Sequence, residues 1–268
     1  MSELMIDGRL AADEAGEGVP VVLLHGLTAT RRYVVMGSKN LERGGHRVIA
    51  YDARGHGRSA PAGEYGYDAL AADLAAVLDE RGVDRAVLAG ASMGAHTLVR
   101  FALEHPDRAA ALVLITPAYD PDTPERDLDR WDRLARGLRD GGVEGFVAAY
   151  GEPRVPESFR DTVRTVLRQR LSAHEHPDAV ADALEQVPRS RAFAAWDDLG
   201  ALDVPVTVVA SRDEADPAHP FATGERYVAA IPGAELVTEE PGKSPLAWQG
   251  GQLSRVIAET AARAGTSP

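Results

Sequence analysis

Six short, mostly apolar runs rich in β-branched residues punctuate this chain: Val19–Leu24 (VPVVLL), 47–51 (RVIAY), 86–89 (AVLA), 111–115 (ALVLI), 204–210 (VPVTVVA) and 235–238 (ELVT). Most are apolar throughout instead of alternating with polar residues, so both faces of the strands they form must be covered. Helical patterns supply the cover. Residues 67–81 carry apolar side chains at helical spacing and end before Gly82, and residues 93–104 follow the third run directly. Strand and helix in alternation predict an α/β domain with a mostly parallel central sheet and helices on both faces.

One stretch breaks the alternation. Residues 118–202 hold helical patterns at 128–139, 160–171 and 179–187 with no strand between them. They predict a helical cap inserted into a core built from residues 1–117 and 203–268.

With 268 residues the chain is long enough to bury a sizeable core. Its formal net charge of -12 repels nucleic acid and anionic membrane surfaces alike, so a small-molecule substrate is the expected partner. Oligomeric state stays open. Cysteine is absent, which removes disulfides, thiol nucleophiles and thiolate metal sites. The first residues, MSELMIDGRLAADEAGEG, lack the basic-then-apolar pattern of a secretory signal, and a cytoplasmic location is expected. No cofactor is called for. A metal is not expected either, because His174 and His176, the one His-x-His pair, lack an evident third ligand.

The chemistry concentrates at Gly90-Ala91-Ser92-Met93-Gly94, which joins the AVLA strand to the helix beginning at Met93. This is Gly-x-Ser-x-Gly in a strand-turn-helix context, the pattern of a nucleophile elbow. A non-glycine residue at the apex of so tight a turn is strained, and flanking glycines let strand and helix approach. Ser92 is thereby lifted out of the sheet as a nucleophile. The N–H of Met93, at the helix N-terminus, points where an oxyanion would form.

Two further segments agree with the elbow. With them the chain resembles the α/β-hydrolase family, and its serine esterase-like and lactonase-like members in particular. His25-Gly26-Leu27-Thr28 resembles the family's oxyanion loop, and 51–59 (YDARGHGRS) resembles its Asp-x-Arg-Gly-His-Gly-x-Ser segment. The resemblance covers nearly the whole chain apart from the cap. It implies that the Leu27 N–H is the second oxyanion donor, and that His25 and His56 brace their loops.

A serine hydroxyl needs a base, itself oriented by a carboxylate, and in this fold the chain order is Ser, acid, His. After the VPVTVVA run the chain reads SRDEADPAHP over 211–220. Asp213 lies at the family's distance from the strand end, and Asp216 matches its Asp-Pro-x-x-Pro continuation; both are candidates for the acid. Where family members show Gly-His-Ser-Pro, this chain has Gly242-Lys243-Ser244-Pro245, and no histidine follows His219. A lysine with its ordinary pKa near 10.4 has no free lone pair at neutral pH, and Glu239 and Glu240 favour its charged form.

Four accounts of the base follow. His219 lies close in sequence to both aspartates. His96 is one helical turn after Ser92 and leans toward it, although packing is its more natural use. His174 and His176 reach over the site from the cap, and Lys243 would need a large pKa shift. If none of them serves, Ser92 is not activated, and the chain is a binding protein that kept the fold; cofactor-free non-hydrolytic chemistry also stays open. An active Ser92 implies acyl transfer from an ester, thioester or lactone to water. The cap's Trp131, Phe146, Tyr150, Phe159, Phe193 and Trp196 read mostly as core. Its Arg154, Arg164, Arg168 and Arg170 form either a solvated face or a lure for an acidic substrate.

Overall fold

The structure, a computed structural model, describes residues 2–123, 127–212 and 216–265. Two strands, β1 (Ser2–Ile6) and β2 (Leu10–Ala15), open the chain as an antiparallel hairpin. They are followed by β3 (Val19–Leu24), a short helix α1 (Asn40–Arg43) and β4 (His46–Tyr51). Helix α2 (Tyr67–Glu80), β5 (Ala86–Ala91), α3 (Met93–Glu104) and β6 (Ala109–Ile115) come next. Then come three helices in a row: α4 (Leu128–Tyr150), α5 (Glu157–Leu171) and α6 (Pro177–Gln186). The chain re-enters the sheet through β7 (Val206–Val209), α7 (Phe221–Ala230), β8 (Glu235–Val237) and the closing helix α8 (Gly250–Arg263).

Eight strands form one sheet in the order β1-β2-β4-β3-β5-β6-β7-β8. Every pairing from β4 onward is parallel, and the hairpin adds the antiparallel edge. Apolar side chains of the inner strands point alternately to two cores. Val22, Leu24, Leu88 and Leu112 face α2 and α3, whereas Val21, Leu23, Val87 and Val113 face α1 and α8. The apolar runs of the inner strands are therefore buried on both sides, whereas β8 is a half-exposed edge strand. β6 shows this most fully, with all seven residues buried.

Three features depart from the sequence reading. The opening hairpin goes beyond it, since SELMI and LAADEA mix acidic with apolar residues as edge strands do. The helix expected over 128–139 runs on to Tyr150, bent at Gly142, whose φ of 59° is non-helical. The strand expected over 204–210 is shorter, Val206–Val209.

Parallel strands all end at one edge of the sheet. The segments after β3, β5, β7 and β8 therefore meet there, which is where open α/β sheets carry their sites. Helices α4 to α6 branch from this same edge, between β6 and β7.

Candidate active site

Ser92 occupies the apex between β5 and α3 with φ 49° and ψ -112°, a conformation that costs a non-glycine residue free energy. Its neighbours enforce the turn. A Cβ on Gly90 would stand 2.5 Å from the carbonyl carbon of Gly94, and one on Gly94 would stand 2.4 Å from the carbonyl oxygen of Leu24. Either contact would separate α3 from the strands, so both positions require glycine. The turn is held by the Ser92 N–H, which donates to the Ile115 carbonyl at 2.9 Å. The loop after β3 lies directly against it: a Cβ on Gly26 would be 3.5 Å from the Ser92 Cβ. Among the described residues, neither the Leu27 N–H nor the Met93 N–H donates a hydrogen bond, and both residues are buried beside Ser92.

The loops around the turn are tied by histidines. His25 donates from Nδ1 to the Gly26 carbonyl at 2.8 Å and accepts the Ala53 N–H on Nε2 at 2.9 Å. Burial holds its pKa well below the ordinary histidine value, with the neighbouring His56 acting in the same sense. His56 sets its two ring nitrogens against the carbonyls of Arg54 (2.9 Å) and Leu27 (2.6 Å), so it grips the residue that carries one of the two free N–H groups. His174, between α5 and α6, accepts the Gly57 N–H at 2.8 Å and donates to the Thr28 carbonyl at 3.2 Å. Burial, then the charge of His56, lowers its pKa to about 4. Both of its nitrogens are committed to backbone, and among the described residues no cluster of metal-ligating side chains is present. Below this layer Asp52 is buried and accepts the N–H groups of Arg31 (2.8 Å) and Arg58 (3.1 Å) while pairing with the Arg31 guanidinium. Arg54 of the same segment grips buried Asp73 at 2.7 Å.

His96, one turn along α3 from Ser92, is fully engaged elsewhere. Its Nε2 accepts the N–H groups of Ala118 (2.9 Å) and Tyr119 (3.0 Å), which leaves Nδ1 to donate to the Tyr67 hydroxyl at 2.9 Å. Burial, and after it the charge of His219, lowers its pKa to about 3. The ring thus fastens the start of the helical excursion to α3. Nothing in the Ser-Met-Gly-Ala-His spacing points to Tyr67 as its partner.

On the far side of the turn lies the segment after β7. Asp213 falls outside the described residues. Asp216 and His219 form a pair: Asp216 Oδ1 accepts from His219 Nδ1 at 2.8 Å, and the His219 N–H donates to the Asp216 carbonyl at 3.2 Å, closing a turn. Both side chains are mostly shielded, at 14% and 23% exposure. With Nδ1 as donor, the free lone pair of His219 is on Nε2. Lys243 stands on an exposed turn after β8 that is closed by its own N–H to the Glu240 carbonyl at 3.0 Å. Nearby Glu239 is buried and accepts N–H groups from Arg212 and from Leu246 (3.4 Å), linking the two loops.

An alpha/beta hydrolase fold family model matches residues 19–201. The chain belongs to the α/β-hydrolase fold family. Over 250 residues it is 31% identical to 2-hydroxy-6-oxononadienedioate/2-hydroxy-6-oxononatrienedioate hydrolase 2 of Pseudomonas putida, covering 86% of this chain and 83% of that one. A shorter match, 40% identical over 118 residues, is to a putative non-heme haloperoxidase of Mycobacterium phage D29, of whose length the chain spans 42%. Among solved structures, a thermophilic esterase from Thermogutta terrifontis superposes with a TM-score of 0.77 at 29% identity, covering 95% of this chain and 93% of that one. Family and relatives together point to a hydrolase. No helix among the described residues is long and apolar enough to cross a membrane.

Proposed function

We propose that this α/β-hydrolase cleaves a small-molecule ester, thioester or lactone through an acyl-enzyme on Ser92, with His219 as base and Asp216 as its acid. The observation that carries the reading is the Asp216–His219 pair. It commits Nδ1 to a carboxylate and leaves Nε2 with the lone pair a general base needs. His219 Nε2 takes the Ser92 hydroxyl proton as Oγ attacks the substrate carbonyl, and the oxyanion that develops is met by the N–H groups of Leu27 and Met93. Collapse expels the alcohol or thiol, which leaves with that proton, and the acyl group stays on Oγ. Water, deprotonated by the same Nε2, then releases the acid and returns Ser92.

His25 and His56 support this arrangement by holding the oxyanion loop, His56 through the Leu27 carbonyl itself. Residues 118–202 act as a cap that shapes the acyl site. Lys243 is set aside because its side chain is exposed on the turn after β8, whereas His219 is shielded and already oriented by a carboxylate.

A fluorophosphonate probe tests the reading, since it labels only an activated serine. Stoichiometric labelling of the wild type, abolished in Ser92→Ala, is the expected result. An unlabelled wild type at high probe concentration would point instead to a binding protein that retains the fold.

A further inference from the structure

Several arginines of the cap are spent on ion pairs. Arg139 pairs with Asp182 and Glu185, Arg160 and Arg164 with Glu152, and Arg168 with Glu144, all within 2.9 Å on the outer surface. Arg170 has no such partner. Among the described residues no carboxylate lies within 4.0 Å of its guanidinium, and its Nε–H is shielded from solvent without any acceptor. A shielded guanidinium donor left unpaired is destabilising, so such an arrangement calls for a missing acceptor.

Its position says what that acceptor does. Arg170 lies at the end of α5, four residues before His174, whose contacts with Thr28 and Gly57 press this segment onto the oxyanion loop. The guanidinium stacks over the ring of Tyr33, 5.1 Å from its centre, in the turn that follows that loop. The charge of Asp216 also acts on it, although Asp216 Oδ1 is already engaged by His219. Arg170 therefore borders the turn after the oxyanion loop through Tyr33 and lies within electrostatic range of Asp216. It is a shielded cation with unspent donors, in a protein whose net charge is -12.

Resting on the serine-hydrolase reading above, we infer that Arg170 binds a free carboxylate on the substrate, so that the preferred substrates are esters, thioesters or lactones of dicarboxylic acids. A planar guanidinium meets a carboxylate through two parallel N–H···O bonds, which matches one cation to one negative charge. A phosphate dianion would need a second unpaired cation, and the other arginines of α5, Arg160, Arg164 and Arg168, are already neutralised. The bond to the carboxylate also orients the acyl chain, presenting its far carbonyl to Ser92.

The test compares mono-p-nitrophenyl esters of succinate, glutarate and adipate with the neutral butyrate, valerate and hexanoate esters. The wild type is expected to favour at least one anionic ester over its neutral counterpart. Arg170→Met should lower kcat/KM for that ester by about 10- to 100-fold, chiefly through KM, while changing the neutral esters less than about twofold. Arg170→Lys should recover part of the loss, and Arg168→Met, on the same helix, should change neither series. An equal fall on both series would make Arg170 a latch on Tyr33 and overturn the proposal, as would a wild type that prefers neutral esters at every length. If no ester is turned over, the hydrolase reading fails separately, and binding decides. Thermal stabilisation by glutarate or adipate that is lost in Arg170→Met upholds the carboxylate site, and its absence in the wild type rejects it.

Discussion

The two walls beside Ser92 are built on different principles. On one side the elbow, the oxyanion loop and the 51–59 segment interlock. Gly90 and Gly94 leave no room for a side chain, and His25, His56, His174 and Asp52 each bond backbone groups of a neighbouring segment. On the other side Asp216 and His219, the proposed acid and base, are joined across three residues of an irregular loop that is tied to the next loop through Glu239. The nucleophile and its N–H donors are thus fixed by packing that tolerates little change. The proton acceptor has only to reach Nε2 into range, a requirement that several loop designs satisfy. This difference explains how lysine can stand at position 243 without the elbow showing any trace of it.

Substitutions can break the comparison. The largest expected effect is at His219: replacement by alanine should lower kcat for a p-nitrophenyl ester by about a thousandfold while lowering the melting temperature by only a few degrees, because the change is confined to one loop and its hydrogen bond to Asp216. Turnover at the wild-type rate would show that the base lies elsewhere.

A smaller effect, confined to acid, is expected on the interlocked side. His174 titrates near 4 when folded and near 6.5 when unfolded, so between those values the unfolded chain binds more protons and stability falls as pH drops. Glutamine preserves both hydrogen-bonding positions and does not titrate. His174→Gln should therefore flatten the decline in melting temperature between pH 7 and pH 4 by a few degrees, leaving the remaining slope to groups such as His96. Identical curves for the two proteins would mean that His174 does not hold the cap to the oxyanion loop. The smallest effect belongs to Lys243→Ala, expected within about twofold of wild type in turnover. A hundredfold loss there would move the base from the loop after β7 to the loop after β8.

Legibility from sequence follows the same division. Strands β3 to β7 could be read because burial on both faces leaves apolar runs, and the elbow because its constraint is local and steric. The β1–β2 hairpin was not legible, since an edge pair needs neither an apolar run nor a tight two-residue turn. The continuation of α4 past Gly141-Gly142 depends on packing of Phe146 that no local pattern announces. In the site, both Asp216 and Asp213 matched some part of the family pattern. What favours Asp216 is its hydrogen bond to His219, a contact that exists only once the turn is formed. Arg170 stood among several arginines in the sequence, and what makes it distinct, a shielded Nε–H without an acceptor, exists only in the fold.

The three-residue tether between Asp216 and His219 has a kinetic consequence. Because a short turn keeps the carboxylate at high effective concentration around the imidazole, the couple is expected to persist while its loop swings as a whole. If the proposed roles hold, thermal or denaturant-induced loosening of that loop would then silence turnover reversibly, with Asp216 and His219 still joined and the sheet still folded. Activity should fade at milder conditions than those that melt the core.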